Sequence, residues 1–364
     1  MKLDALSLGE LGESPWAAPR KVPPASPPSD CEVVIVGAGV TGISAAIALA
    51  GRHVGVTVVD RKIGGGATTR SGGIVLGETL VGPVPGFDRC EERLRDWIAS
   101  EQVSCDATWP GCLELTRDAG SSAPEIGWFD QGRIRIADQV PGGVLDPAKL
   151  LNGMVSTALR SGVHLVDGMN VDRVEPDGGG LRVTAGHASI AARQVIMAVD
   201  ALSWRQHFDP WEQRTITVAL QTVVDADLAE AIGLRQPFYT DELPLLWGRT
   251  LPDGSLLFGR ELIAWPLPAG TGTLRAQFVA AGDRLIARVR GLHPRLREIG
   301  IERVWAGPTA RTSVGAPALV EDPVLGEVVW AGGYGGHGLA QAFVLGRAAA
   351  DWASRRRGGR IKTA

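Results

Sequence analysis

Gly37, Gly39 and Gly42 follow the β-branched run Val33-Val34-Ile35-Val36 and open the alanine-rich stretch Ile43–Ala50. A strand, then Gly-x-Gly-x-x-Gly, then a helix is the order that binds a dinucleotide pyrophosphate. The first glycine permits the tight turn and the second lets backbone approach the phosphates. The third lets the helix pack on the strand. Backbone N–H groups around Val40 and Thr41, together with the helix dipole, then face the anion. A second β-branched run, Val56–Val59, ends at Asp60, 18 residues beyond Gly42. A carboxylate about 20 residues on is placed to bind ribose hydroxyls, and Arg61 beside it is a further candidate.

Two more small-residue segments follow strands. Gly64-Gly-Gly-Ala-Thr-Thr-Arg-Ser-Gly-Gly73 has almost no bulk. Such a loop suits close backbone approach to a second stretch of phosphate or to a flavin ring. Its candidates are Ala67, Thr68, Thr69, Arg70, Ser71, Gly72 and Gly73. Arg70 could bring charge, and the Thr68, Thr69 and Ser71 hydroxyls could donate. The first motif fits NAD and FAD alike; this second loop favours FAD. The third segment, Trp330-Ala-Gly-Gly-Tyr-Gly-Gly-His-Gly338, again runs from a strand into a helix. It supplies Gly333, Tyr334, Gly335, Gly336, His337 and Gly338. A helix N-terminus aimed at a ring stabilises negative charge developing there, which on a reduced flavin is the N1–C2 carbonyl edge. His337 reads equally well as a structural histidine.

The elements that must position these residues can be read from periodicity. Residues 1–30 carry six prolines and no sustained pattern, which suggests an extended arm or linker. Glu32 to Arg61 reads strand–turn–helix–strand. Helices are expected over Asp88–Ser100, from Pro147 to Arg160, over Asp283–Ile299 with a break near Pro294, and from Gly338 to Ser354. Short strands are expected at His164–Asp167, Leu181–Ala185, Gln194–Ala198, Arg303–Ala306 and Val328–Ala331. Ile216–Val223, Leu256–Gly259 and Leu274–Ala280 read as antiparallel strands. Nucleotide-binding motifs at both ends with β-rich material between them imply an α/β fold. It would be a Rossmann-like domain of discontinuous segments (31–85, 144–205 and 302–364). An antiparallel-sheet substrate domain (86–143 and 206–301) would be threaded through it, and 1–30 would be the arm.

Composition closes off other classes. The 364 residues carry a net charge of −3, so no basic field invites nucleic acid. Glycine, at 48 residues, is about 13% of the chain, nearly twice the usual ~7%. The four cysteines are scattered and form no CxxC pair, which argues against a disulfide scaffold or zinc site and for reduced thiols in the cytoplasm. No apolar run precedes Asp4, Glu10 and Glu13, against a signal peptide. Val33–Gly51 lacks charge over nearly the ~20 residues of a membrane span, but its glycines break it into strand, turn and helix.

Taken together, these motifs resemble the D-amino acid oxidase family of FAD-dependent oxidoreductases, which includes glycine oxidase, sarcosine oxidase and γ-glutamylputrescine oxidase. The likeness extends from Cys31 to Ser354. The 64–73 loop is similar to the family's GASGRNGG-type loop, and Gly142-Gly-Val-Leu-Asp-Pro147 to its G-x-x-x-x-P helix entry. Asp253-Gly-Ser-Leu-Leu-Phe-Gly259 resembles the D-G-R-L-L-F-G strand. Trp305-Ala-Gly307 and Gly332–Gly338 resemble the late W-x-G and G-G-Y-x-G-H-G signatures. Among these relatives the γ-glutamylputrescine type looks nearest. The resemblance implies bound FAD, with the Val171 backbone holding the adenine. It implies a small amine or amino acid substrate whose C–H next to nitrogen passes a hydride to flavin N5. An imine is left, which water hydrolyses, and oxygen or another acceptor takes the electrons.

The chain departs from the family in three places. No Cys follows Cys112 and no His lies between His53 and His164, so the family's covalent flavin linkages are missing and FAD is expected to be noncovalent. No lysine lies between Lys149 and Lys362 to assist oxygen, which keeps a dehydrogenase with another acceptor open. The late T-P-D-x-x-P pattern is Thr312-Ser-Val-Gly-Ala-Pro317, without its aspartate. For substrate, Trp109, Trp247 and Trp265 could wall an amine, and Arg249 or Arg260 could hold a carboxylate. His337, Arg249 and Trp247 are the catalytic candidates. An NAD-dependent dehydrogenase is the more distant alternative.

Overall fold

The computed structural model describes residues 9–17, 22–117, 122–202 and 208–359. The Gly-x-Gly-x-x-Gly strand, Asp30–Val36, sits inside a mixed eight-stranded sheet. Its main path runs Ala318–Glu321, Val328–Gly332, Ala188–Met197, Asp30–Val36, Val56–Asp60, His164–Asp167. All pairings along that path are parallel except the first. Parallel strands are covered on both faces, which is why Val33–Val36 reads as an unbroken apolar run and Val56–Val59 as a β-branched run. The hairpin Arg173–Asp177 and Gly180–Ala185 extends from the first half of Ala188–Met197.

This sheet joins strands from opposite ends of the chain, and two helices do the same. Val40–Ala50 and Gly338–Gly359 pack together closely enough that a Cβ on Gly346 would stand 2.3 Å from the Thr41 carbonyl oxygen. Ser44 Oγ donates across the contact to the Phe343 carbonyl, at 2.6 Å. The helix Pro147–Arg160 begins where expected: Asp146 accepts from the N–H groups of Ala148 and Lys149, and proline fills the first position.

A second eight-stranded sheet runs Ile301–Arg311, Gln213–Thr222, Leu256–Trp265, Trp247–Thr250, Phe238–Thr240, Cys112–Thr116, Arg133–Val140, Glu125–Phe129. Its pairings are antiparallel apart from Phe238–Thr240 with Cys112–Thr116. The fold is thus α/β with an antiparallel-sheet second half. Strand Ile301–Arg311 lies wholly in this second sheet.

One expected strand is a helix. Leu274–Ala280 is the opening of Leu274–Leu292. Thr273 caps it by accepting from Ala276 N, and Leu274, Phe278, Ala281, Leu285, Val289 and Leu292 fall on one buried face. Spacing of three and four over 19 residues outweighs a locally apolar start. That face covers the second sheet, packing on Ile216, Phe258 and Ile263. Pro294 starts a short 3-10 turn, Pro294–Leu296, after the helix has ended. Among the described residues, no helix is long and apolar enough to cross a membrane.

Candidate functional site

The three glycine-rich segments meet at one cavity of about 320 Å³ between the two sheets. The first turn is fixed by its own neighbourhood. Gly37 has φ +106°, a conformation side chains avoid, and its N–H donates to Val59 at 2.9 Å. A Cβ at Gly42 would lie 1.9 Å from the Gly37 carbonyl oxygen. Asp60 accepts from Ala38 N at 2.7 Å and Lys62 N at 2.9 Å, so the carboxylate holds the turn while still lining the cavity. Burial pushes its pKa up against those hydrogen bonds. The helix that begins at Val40 has no side-chain cap, and its first turn faces the cavity.

Gly37, Gly39, Val40, Thr41, Asp60, Arg61, Ala67, Thr68, Ser71, Gly72, Val171, Tyr334, Gly335, Gly336, His337 and Gly338 all line this cavity. Gly42, Thr69, Gly73 and Gly333 stand one layer behind. Thr69 Oγ1 donates to Gly64 O at 2.6 Å. Gly333 N donates to Asp200, whose carboxyl burial pushes up to about 6. Thr68 Oγ1 accepts from Val40 N at 3.3 Å, tying the second loop to the first turn. Tyr334 Oη and Thr41 Oγ1 share a hydrogen bond of 2.7 Å, tying in the third.

Two arginines do not do what their sequence context suggested. Arg70 turns its guanidinium away from the cavity: Nε donates to Ala306 O, and Nη2 to Leu11 O at 2.9 Å and Gly12 O at 2.6 Å. Arg70 still lines the cavity, and its guanidinium holds the loop in place. Arg249 is 2% exposed, and its Nη1 donates to Gly73 O at 2.9 Å and Leu145 O at 2.8 Å. It clamps the loop from behind instead of holding a substrate carboxylate. Burial lowers both guanidinium pKa values to about 10. In both cases the guanidinium is spent on backbone carbonyls and not on the cavity.

Arg260 takes the cavity position instead, on Leu256–Trp265 beside Leu262. Of the three candidate tryptophans, Trp247 alone lines the cavity. It lies flat on two glycines: a Cβ at Gly259 would be 2.0 Å from its ring and one at Gly72 2.3 Å. Trp265 packs in the core under the long helix, and Trp109 stacks below Arg95. The His337 and Tyr239 rings stand nearly perpendicular with centroids 6.2 Å apart, and Tyr239 donates to Glu78. Burial holds the imidazole down to about 4, with a small opposing effect from the Gly335 backbone. His337 is therefore neutral at ordinary pH.

Four polar groups on the cavity wall are buried with no hydrogen-bond partner among the described residues: Arg61 Nη2, Ser71 Oγ, Arg260 Nη1 and His337 Nδ1. Buried polar groups are normally satisfied, so their bareness at one cavity marks where a polar ligand belongs. Uncapped helix N–H groups, a glycine cradle and these donors fit the pyrophosphate and ring of a dinucleotide such as FAD.

Comparison with known proteins bears on the same region. Glycine oxidase from Geobacillus kaustophilus superposes with a TM-score of 0.71 at 17% identity, covering 90% of this chain and 95% of that one. L-Amino acid deaminase from Proteus myxofaciens gives 0.72 at 15% identity, with 94% of each chain covered. L-Proline dehydrogenase from P. horikoshii gives 0.68 at 19%, covering 92% and 95%. No curated protein sequence matches the chain. At such identities the superpositions speak for the fold. The model of the FAD-dependent oxidoreductase family DAO matches residues 32–352, a span that contains all three glycine-rich segments and both sheets, and the chain belongs to that family.

Proposed function

We propose that this chain oxidises a C–N bond of a small amine or amino acid, using noncovalently held FAD. The observation that carries the reading is the single cavity at which Arg61, Ser71 and Arg260 present unpaired donors between the glycine turns and Trp247. The structural relatives named glycine oxidase, L-amino acid deaminase and L-proline dehydrogenase point to the same reaction class. Iminodiacetate oxidase from Chelativorans sp. does so too.

In this reading the Gly37–Gly42 turn and the Val40–Ala50 N-terminus hold the pyrophosphate. Asp60 and Arg61 face the ribose, and Val171 the adenine. The 67–73 loop and Gly333–Gly338 hold the ring. Bound FAD would supply the hydride acceptor, flavin N5, for a substrate C–H next to nitrogen. The chain's own residues orient and shield. Trp247, Leu245 and Leu262 form an apolar wall that excludes water. Arg260 takes a substrate carboxylate, the role that Arg249 cannot fill from behind the loop. Neutral His337 offers a hydrogen bond without adding a charge beside the reacting carbon. The imine leaves for hydrolysis by water, and the electrons go on to oxygen or another acceptor.

The absence of any lysine between Lys149 and Lys362 favours a second reading of the last step, a dehydrogenase whose acceptor is not oxygen. Both are tested together. The yellow protein is mixed without oxygen with a panel of amines, amino acids and N-carboxymethyl amines, and then exposed to air. Bleaching by carboxylate-bearing members supports the function. Fast return of colour in air marks an oxidase and slow return a dehydrogenase. A flavin that no member bleaches contradicts the assignment.

A further inference from the structure

The loop at 68–73 is held from outside itself to an unusual degree. Its carbonyls at Thr69, Arg70, Ser71 and Gly73 each accept from a distant side chain. The donors are Ser14 Oγ at 2.7 Å, Trp305 Nε1 at 3.0 Å, Trp16 Nε1 at 2.8 Å and Arg249 Nη1 at 2.9 Å. Two of the four come from the segment 9–17, which lies ahead of the region matched by the family model.

That segment is docked, not a free linker. Leu11 is fully buried with the core beneath the second sheet. Its carbonyl accepts from Ala306 N at 2.8 Å, which joins the segment to Ile301–Arg311. Arg70 Nη2 closes the contact by donating back to Leu11 and Gly12. The indole of Trp16 then packs against the buried cluster of Ala219, Leu251, Leu257 and Trp305, with the Arg249 guanidinium 5.8 Å from its ring centre.

Peptide geometry links this anchoring to the cavity. In a planar trans peptide the C=O and the following N–H point in opposite directions. Trp16 pulls the Ser71 carbonyl to its own side and is not part of the cavity wall. The N–H of Gly72 then points away from Trp16, and both Ser71 and Gly72 line the cavity. A peptide flip at this bond would present a carbonyl there instead, which a ring carrying carbonyl acceptors would reject.

We propose that Trp16, with Ser14, is a positioning residue for the FAD site: the N-terminal segment fixes the Ser71–Gly72 peptide so that its N–H faces the cofactor. The proposal rests on the assignment of FAD to this cavity. It makes cofactor affinity depend on a segment outside the shared family region.

The test uses the full chain stripped of cofactor, with FAD binding read by flavin fluorescence quenching and the bound flavin by visible circular dichroism. Trp16→Phe keeps an aromatic ring at the position and removes the N–H donor together with part of the indole's bulk. Losing one such hydrogen bond predicts FAD binding about tenfold weaker and an altered visible signal, with apoprotein melting within a few degrees of the wild type. Ser14→Ala should act in the same direction by less. Trp16→Ala should weaken FAD further, but Trp16→Phe decides if that variant does not fold. Wild-type affinity and an unchanged flavin signal in Trp16→Phe would overturn the proposal. Wild-type protein that takes up no FAD would instead overturn the cofactor assignment beneath it, an outcome seen before any variant is made.

Discussion

The turn at Gly37–Gly42 and the loop at Thr68–Gly73 line the same cavity but are shaped in opposite ways. The first takes its backbone shape mainly from within thirty residues. Gly37 bonds to Val59, Gly42 packs on Gly37, and Asp60 reaches back to Ala38. The second borrows its shape from Ser14, Trp16, Arg249 and Trp305, which lie 55 to more than 200 positions away. A locally determined turn forms wherever its strand and helix form. A remotely supported loop forms only once both sheets and the N-terminal segment are assembled. The first should fail abruptly when a glycine is filled, and the second by degrees as supports are withdrawn.

The largest effect is expected from Gly42→Ala. Its Cβ would meet the Gly37 carbonyl oxygen at 1.9 Å, with no flexible side chain able to yield. Loss of flavin from the purified protein is expected, with about 1–3 kcal/mol or more of destabilisation in denaturant melts. A variant that keeps its colour breaks the idea of a rigid first turn. Arg249→Met comes next. It strips the buried donor from the Leu145 carbonyl and one of two donors from Gly73 O, which Leu145 N also reaches, and a loss of about 1–3 kcal/mol is predicted. If the loss is below 1 kcal/mol, the loop does not depend on its remote clamp.

Arg260→Gln tests the reassignment between the two arginines. Stability should stay within about 0.5 kcal/mol, because the side chain has an unpaired donor to lose. The KM for a carboxylate-bearing substrate should rise about 10–100-fold, while that for an amine without carboxylate stays put. Equal effects on both substrates would remove Arg260 from the carboxylate role.

The smallest effect concerns pH. The folded pKa of His337 is lowered to about 4, below the ordinary value of 6.5. Between those values the unfolded chain takes up a proton that the folded one refuses, so this residue's contribution to stability is present above pH 6.5 and falls as pH drops toward 4. His337→Gln should flatten that part of the stability profile relative to wild type. Parallel profiles for the two proteins would show that His337 titrates normally.

This contrast also explains what the sequence could show. The parallel sheet, the first turn and the capped helix at Pro147 were legible because each depends on neighbours in sequence. The family motifs carried the same information over longer stretches. Leu274–Ala280 misread as strand because a seven-residue window cannot see the 19-residue face it begins. Arg70 and Arg249 read as ligand-binding charges because nothing local reveals the distant backbone carbonyls they donate to. Arg260 became the stronger of two candidates only when the bonds of Arg249 were seen. The N-terminal segment carried one usable signal, an isolated Trp16 among prolines and small residues; its partner, the Ser71 carbonyl, is 55 positions on.

The central claim is that segments from both ends of the chain build one noncovalent FAD site. It is tested most directly by precipitating the purified yellow protein with acid and measuring flavin in the two fractions. About one equivalent of FAD per chain in the supernatant is the predicted result. A colourless protein that takes up NAD instead, or yellow colour that stays with the pellet, would contradict it.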